Sequence, residues 1–114
     1  MTPRHALGVV IGGVIGAVGR WGFGELMGAN PGLLVANALG CLVLGWAVAA
    51  GQGPWLTAGA CGALTSFSAL ALQLAVDLDQ TRYVAATSWL VVTVVLCTGA
   101  FRLGRQAHPL RGER

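Results

Sequence analysis

The sequence predicts an all-α membrane protein with four transmembrane helices, of which the third is broken. One observation is that no Asp, Glu, Lys, Arg or His occurs between Leu26 and Val76. About 20 apolar residues suffice to cross a bilayer, so this uncharged stretch is long enough for two spans and a tight turn. The second observation is composition. The chain is 10% charged and 55% hydrophobic, whereas soluble domains carry about 25% charged residues.

Four apolar spans fill the chain as a single domain without a soluble part. They are predicted at about residues 6–23, 32–50, 55–76 and 83–101. The second span begins after Asn30-Pro31, because proline suits the first turn of a helix. Gly and Pro at 51–54 form the turn before the third span, and the polar loop 77–82 precedes the fourth.

A row of small residues marks one face of the first span. Gly8, Gly12 and Gly16 recur every four positions, a spacing that lets two helix backbones approach closely in lipid. We expect this face to pack against another helix across a subunit interface. The span has no convincing A-x-A cleavage site, so it is interpreted as a retained helix and not as a signal peptide.

The distribution of arginine predicts the orientation of the chain. The chain contains arginine but no lysine. Cytoplasmic loops of membrane proteins carry an excess of these positive charges. The side that holds both termini carries Arg4, Arg102, Arg105, Arg111 and Arg114. Both termini are therefore predicted to be cytoplasmic, in a cell membrane that the chain crosses four times. These charges lie mostly on a short tail without interleaved aromatics, so no nucleic-acid partner is expected.

The cysteines do not form a recognisable chemical site. Cys41, Cys61 and Cys97 lie in apolar runs without CxxC or histidine spacing, which indicates packing residues and not disulfides or a metal centre. The sequence also offers no Ser-His-Asp set and no pair of membrane carboxylates. It is therefore not expected to be an enzyme.

Two polar residues each allow two interpretations. Arg20, near the end of the first span, could extend its long side chain to the membrane surface or present a fixed positive charge to anions. Asn37, in the second span, could hydrogen-bond a neighbouring helix, which is worth about 0.6 kcal/mol. It could equally turn its NH2 group toward a passing anion.

A hydroxyl cluster marks the third span. Gly59 and Gly62 precede Thr65-Ser66-Phe67-Ser68, and hydroxyl side chains that compete for backbone partners favour a break in a helix. Carbonyl groups freed at such a break can bind a small cation. The same cluster could instead hold two helices together, so alone it indicates no function.

Three motifs, in order along the chain, resemble those of one family. Residues 12–20, Gly-Gly-Val-Ile-Gly-Ala-Val-Gly-Arg, resemble a GGxxGAxxR motif of a first helix. Residues 32–40 resemble GTLxxNxxG of a second helix, and residues 61–68 are similar to CGGxTTFS of a third. These are motifs of the CrcB/Fluc fluoride channel family, and the resemblance covers nearly the whole chain.

The resemblance implies a function, an assembly and a set of site residues. Members of that family are four-span subunits paired as an antiparallel dimer, which export fluoride passively and hold a structural Na⁺ that is not transported. By position, the backbone carbonyls of Gly62 and Thr65 would bind the Na⁺, and Arg20 would flank the entrance as a vestibule residue. The implied fluoride pathway is lined by Asn37, Phe67, Ser68 and Thr93.

The chain departs from the family pattern after the third motif. Leu70 stands where the family has a second phenylalanine, Gln73 stands where it has a glutamate, and Trp89 adds bulk to the last span. A partner subunit could supply what is missing, and the one-sided arginine distribution suits a subunit with one orientation. We therefore expect an antiparallel dimer with an oppositely oriented paralogue, or otherwise a homodimer.

Two other functions stay open. A non-conducting or regulatory subunit of a heterodimeric fluoride channel would tolerate Leu70 and Gln73. A small multidrug-type transporter has the same number of spans, but it would need a carboxylate within the first span for proton coupling. Glu25 lies beyond the end of that span.

Overall fold

The computed structural model describes residues 2–107 of the chain. In chain order, the elements are α1 (Pro3–Met27), α2 (Ala29–Ala49), a π-helical segment (Trp55–Cys61), α3 (Gly62–Leu64), α4 (Phe67–Asp79) and α5 (Tyr83–Ala107). α1, α2, α5 and the segment Trp55–Asp79 are each long and apolar enough to cross a membrane. Within residues 2–107, the prediction of an all-helical fold with four such helices is confirmed, and the protein is a multi-pass membrane protein.

Local sequence explains where the first helices begin and end. Thr2 caps α1, because its hydroxyl oxygen accepts a hydrogen bond from the backbone N–H of His5 at 3.2 Å, and Pro3 occupies the first turn. Gly28 separates α1 from α2 with a φ of 92°, a conformation that favours glycine. The chain can therefore reverse with a single residue between two membrane-length helices.

The predicted loop at 77–82 is shorter than expected, which corrects the sequence interpretation. Asp77 belongs to α4, which continues to Asp79. The turn closes because the backbone N–H of Arg82 donates to the carbonyl oxygen of Asp77 at 2.7 Å.

At the C-terminus, Arg111 and Arg114, which contribute to the predicted orientation, lie outside the described residues.

Glycine lets α1 lie directly on the third span. A Cβ atom at Gly12 would meet the carbonyl oxygen of Trp55, and one at Gly16 would meet that of Ala60. Both contacts lie within one chain, so the expectation that this glycine row packs across a subunit interface is wrong. Close backbone approach requires only a second helix, and the third span of the same chain provides it.

α2 packs mainly against α5, again through glycine. A Cβ atom at Gly45 would meet the carbonyl oxygen of Phe101, and one at Gly104 would meet that of Leu42. α4 also packs against α5, whereas the π-helical segment and α3 pack against α1. The two halves of the third span are thus attached to different helices.

The outside of the bundle is apolar. On α1, the large exposed apolar side chains include Leu7, Val10, Ile11, Val14, Ile15 and Val18. Such a surface suits lipid and not water as the surrounding medium.

Candidate functional site

Two extended residues interrupt the third span. α3 ends at Leu64 and α4 begins at Phe67, and between them Thr65 and Ser66 have ψ angles of 152° and 107°. Ser66 then caps α4, since its hydroxyl oxygen accepts a hydrogen bond from the backbone N–H of Ala69 at 3.1 Å. We call Thr65 and Ser66 the interruption.

Asn37 of α2 lies against the interruption, and its side chain takes the place of the backbone carbonyl that the Ser66 N–H would bond in a continuous helix. Its Oδ1 accepts a hydrogen bond from the backbone N–H of Ser66 at 2.7 Å, and its Nδ2 donates to the Ser66 carbonyl at 3.5 Å. The first contact is short and the second is at the limit of a hydrogen bond. Asn37 is only 6% exposed. Its Oδ1 holds the extended backbone, whereas its NH2 group is only weakly engaged and can donate to another acceptor.

The interruption releases two backbone carbonyl groups from helical hydrogen bonds. In a continuous helix the Gly62 carbonyl would accept from the N–H of Ser66, and the Thr65 carbonyl would accept from the N–H of Ala69. Here the Ser66 N–H is donated to Asn37, and the Ala69 N–H is donated to the Ser66 hydroxyl. The oxygens of Gly62 and Thr65 are thus released from these partners.

Arg20 reaches the same region from α1. Its Nε donates a hydrogen bond to the carbonyl oxygen of Ala63 at 3.1 Å, a carbonyl that a continuous helix would pair with the N–H of Phe67. The side chain is therefore turned toward the third span of the same chain. A positive charge stands beside the interruption.

The other residues implied by the resemblance are placed differently. Phe67 is 75% exposed on the outside of the isolated chain. Ser68 is also exposed, with its Oγ 3.2 Å from the Oγ of Ser66. Thr93 is 7% exposed in α5. The single chain brings Arg20 and Asn37 to the interruption, whereas Phe67 and Ser68 face away from its interior.

A cavity of about 760 Å³ opens between α1, the start of α2 and the end of α4. It lies at the end of the bundle opposite the chain termini. Its apolar walls include Trp21 and Leu72. Its polar lining residues are Arg20, Glu25, Asn30, Gln73, Asp77 and Arg82. Arg20 bonds Ala63 just before the interruption and also lines this cavity, so the two features are adjacent.

Asp77 and Arg82 form an ion pair at the wall of the cavity. The Nη2 and Nε atoms of Arg82 lie 2.8 Å and 3.1 Å from Oδ1 of Asp77. The Asp77 side chain is 5% exposed and that of Arg82 is 52% exposed. Within residues 2–107, the buried side-chain atoms without a hydrogen-bond partner are Nε2 of Gln73 and Oδ2 of Asp77.

Sequence reasoning did not identify this polar wall. The sequence pattern places Gln73 within an apolar span and Asp77 in the polar loop 77–82. The spacing of Ala69, Gln73 and Asp77 is a usable signal, because positions four apart share one face of a helix. All three residues line the cavity. The predicted third span ends at Val76, one residue before Asp77, whereas α4 continues to Asp79.

Comparison with known proteins adds named relatives. A family model described as CrcB-like protein, Camphor Resistance (CrcB), matches residues 7–105. The chain is 35% identical to the fluoride-specific ion channel FluC of Aeromonas salmonicida, over 86% of this chain and 90% of that protein. It is 32% identical to the fluoride-specific ion channel FluC 1 of Nitrobacter hamburgensis, over 93% and 96%. It is 29% identical to the fluoride-specific ion channel FluC of Oceanobacillus iheyensis, over 89% and 88%.

These relatives are named as ion channels and not as enzymes. The match to the family model, over residues 7–105, includes parts of all four membrane-length helices. The chain therefore belongs to the CrcB-like family.

Proposed function

We propose that this chain is a subunit of a fluoride-specific ion channel, which lets fluoride leave the cytoplasm passively and so lowers its intracellular concentration. The names of the relatives support this proposal. The observation that carries it is the interruption, where Asn37 holds a non-helical backbone inside a membrane-length helix and Arg20 bonds Ala63 just before it. Irregular backbone at membrane depth is tolerated where it is buried in protein or lines a cavity.

The chemistry of the site suits a small, strongly hydrated anion. A pore must replace the water around fluoride with other hydrogen-bond donors. The NH2 group of Asn37, the hydroxyl of Ser68 and the positive ring edge of Phe67 are uncharged donors of this kind. Thr93 adds a hydroxyl on α5, and Arg20 attracts anions at the vestibule. None of the uncharged donors would trap the ion as a full charge would.

The released carbonyls fit a structural Na⁺. Unwound backbone carbonyls are ligands that Na⁺ accepts in membrane proteins, and those of Gly62 and Thr65 have lost their helical donors to Asn37 and Ser66. The bound ion would supply a positive charge that ties together carbonyl groups from two subunits. It would not be transported.

The assembly that we propose is an antiparallel dimer with an oppositely oriented paralogue, or otherwise a homodimer. Phe67 supports a dimer, because an aromatic ring that is 75% exposed beside the interruption would reach a neighbouring subunit. Both termini would be cytoplasmic, since Arg4, Arg102 and Arg105 lie at the end of the bundle that holds them. The cavity would then open to the outside.

A non-conducting or regulatory subunit is the second candidate. Leu70, which stands in place of a second phenylalanine, is 4% exposed and packs in the interior, so it offers no ring to a pathway. The first helix is longer than predicted, so that Glu25 lies within α1 and not beyond it. A multidrug-type transporter is still less well supported, because this carboxylate lies in the last turn of the helix.

Reconstitution in liposomes tests the proposal. The chain alone, and the chain with a candidate paralogue, are compared for fluoride and chloride efflux. We expect fluoride efflux without chloride efflux when both subunits are present. Robust fluoride efflux by the chain alone would reject an obligate partner, and no fluoride efflux in either preparation would reject the channel.

A second measurement separates the conducting subunit from a regulatory one. Phe67→Ala should lower fluoride efflux of the conducting assembly, whereas Leu78→Ala on the same helix, also exposed, should not. Unchanged efflux in both variants would favour the non-conducting subunit.

A further inference from the structure

α2 and α5 bring two cysteine thiols together. Cys41 lies on α2 and Cys97 lies on α5, and their thiols are close enough to interact directly with each other. Both are free and half-buried, whereas the third cysteine, Cys61, is buried on the third span. The spacing of these cysteines in the sequence indicates no site, so the pair is a product of the fold.

Backbone packing fixes the register that produces this pair. A Cβ atom at Gly45 would meet the carbonyl oxygen of Phe101, so α2 and α5 are in close contact there. Cys41 lies four residues before Gly45, and Cys97 lies four residues before Phe101. Positions four apart share one face of a helix, so both thiols lie about one turn from the close contact, on the faces that meet. The pair is therefore held by two packed backbones.

The thiol pair lies at membrane depth. Cys41 is near the middle of α2 (Ala29–Ala49), and Cys97 is near the middle of α5 (Tyr83–Ala107). A net charge is costly near the centre of a bilayer. A ligand that leaves the site neutral is therefore favoured over one that leaves it charged.

The number and charge of the donors decide which ligand fits. Cysteine thiolates bind soft metal ions. Structural Zn²⁺ takes four ligands, and within residues 2–107 no group of three or more His, Cys, Asp or Glu residues is placed to hold a metal. Two thiolates with Cu⁺ would carry a net negative charge, whereas two thiolates with a soft divalent ion are neutral. The pair thus suits a soft divalent ion that accepts two sulfur ligands.

We propose that Cys41 and Cys97 form a two-coordinate site for a soft divalent metal ion of the Hg²⁺ type. On binding, each thiol releases its proton to water, and each sulfur forms one bond to the metal. No electron is transferred, and the complex is neutral. The metal ties α2 to α5 within one chain. This inference does not depend on the proposed fluoride function.

Attachment of the metal to a single thiol is the competing outcome. An accessible cysteine binds Hg²⁺ through one sulfur, with chloride or another small ligand at the second position. Two sulfurs held in one protein instead act together, and such a linkage raises affinity by about 100-fold or more over either one alone. The two outcomes therefore differ in how well the metal resists a competing thiol.

The test removes each thiol in turn. HgCl2 is titrated into the reduced full chain in detergent, at a fixed glutathione concentration, and bound metal is counted after gel filtration. Cys41→Ala and Cys97→Ala each break the pair. Cys61→Ala is the matched control, because it removes a thiol outside the pair. Size-exclusion profiles verify folding, and the serine variant replaces any alanine variant that does not fold.

The unsubstituted chain and Cys61→Ala should bind one Hg²⁺ per chain, about 100-fold more tightly than Cys41→Ala or Cys97→Ala. The melting temperature should rise with Hg²⁺ only where both thiols of the pair are present. Equal affinity in all four proteins would overturn the inference, as single-thiol attachment predicts. One Hg²⁺ per two chains, or loss of the tight site in folded Cys61→Ala, would overturn it as well. Fluoride efflux does not enter this assay, so failure of the proposed function is a separate result.

Discussion

The carboxamide of Asn37 binds both backbone polar groups of Ser66, with its Oδ1 2.7 Å from the N–H nitrogen and its Nδ2 3.5 Å from the carbonyl oxygen. A side chain of α2 thus completes the backbone hydrogen bonding of the third span. This pair fixes the extended conformation at the interruption, and it is the first target for substitution.

Asn37→Ala should lower the free energy of unfolding by about 1–3 kcal/mol, because it leaves the backbone N–H of Ser66 without its partner. Thermal unfolding in detergent measures this change. Asn30→Ala is the matched control, since Asn30 is exposed at the start of the same helix. Equal melting temperatures for the two variants would contradict the role of Asn37.

Ser66→Ala should cost about 1 kcal/mol, because the hydroxyl that caps α4 through Ala69 is lost. Ser68→Ala removes a neighbouring hydroxyl that caps nothing and should leave the melting temperature nearly unchanged. Chemical denaturation of both variants provides the comparison. If Ser68→Ala were the more destabilising change, the capping assignment would be wrong.

Gly12→Ala should disrupt the fold, because its Cβ would collide with the carbonyl oxygen of Trp55. Backbone cannot move aside as a flexible side chain can, so we expect loss of folded protein or a large drop in melting temperature. Gly13→Ala is the control on the same helix. A Cβ there meets nothing within 4 Å, and alanine is favoured over glycine in a helix by up to about 1 kcal/mol. Similar yields of the two variants would contradict the close packing of α1.

Arg82→Leu should destabilise the protein by about 2 kcal/mol, because it leaves the buried carboxylate of Asp77 unpaired. Fully buried pairs lose about 3–5 kcal/mol on such a change, and the half-exposed position of Arg82 reduces that figure. The double variant Asp77→Leu with Arg82→Leu should recover much of the loss. A double-mutant cycle by thermal unfolding measures the coupling, and additive effects would show that the pair contributes nothing.

The proposed structural Na⁺ predicts that removal of this ion lowers the melting temperature of the assembled protein. A ligand at 100 times its dissociation constant stabilises the folded state by about 2.7 kcal/mol. Replacement of Na⁺ by N-methyl-D-glucamine at equal ionic strength tests this expectation, and K⁺ is the control for a cation of the wrong size. Melting temperatures that do not depend on the cation would contradict a structural Na⁺ at Gly62 and Thr65.

The membrane-length helices could be predicted from sequence because their signal is local. Apolar runs, Pro31 and the turn at 51–54 each act within a few residues, and the described part of the chain has four membrane-length helices where four were expected. The break at Thr65 and Ser66 could also be predicted, because its signal, the hydroxyl cluster, is local. Their side chains offer hydrogen bonds that compete with the helix.

The features that could not be predicted depend on tertiary contacts. The partner of the Gly12 face is Trp55, and no local pattern distinguishes a helix of the same chain from one of another subunit. The helical state of Asp77 depends on its bonds to Arg82. The orientation of Gln73 toward a cavity likewise requires the positions of α1 and α2.

The separate attachment of the two halves of the third span has a mechanical consequence. The first half is fixed to α1 by glycine contacts, and the second half packs on α5. When bilayer thickness changes, helices adjust by tilting, and two halves held by different neighbours tilt independently. The necessary bending falls on Thr65 and Ser66, where side chains already stand in for the missing backbone bonds.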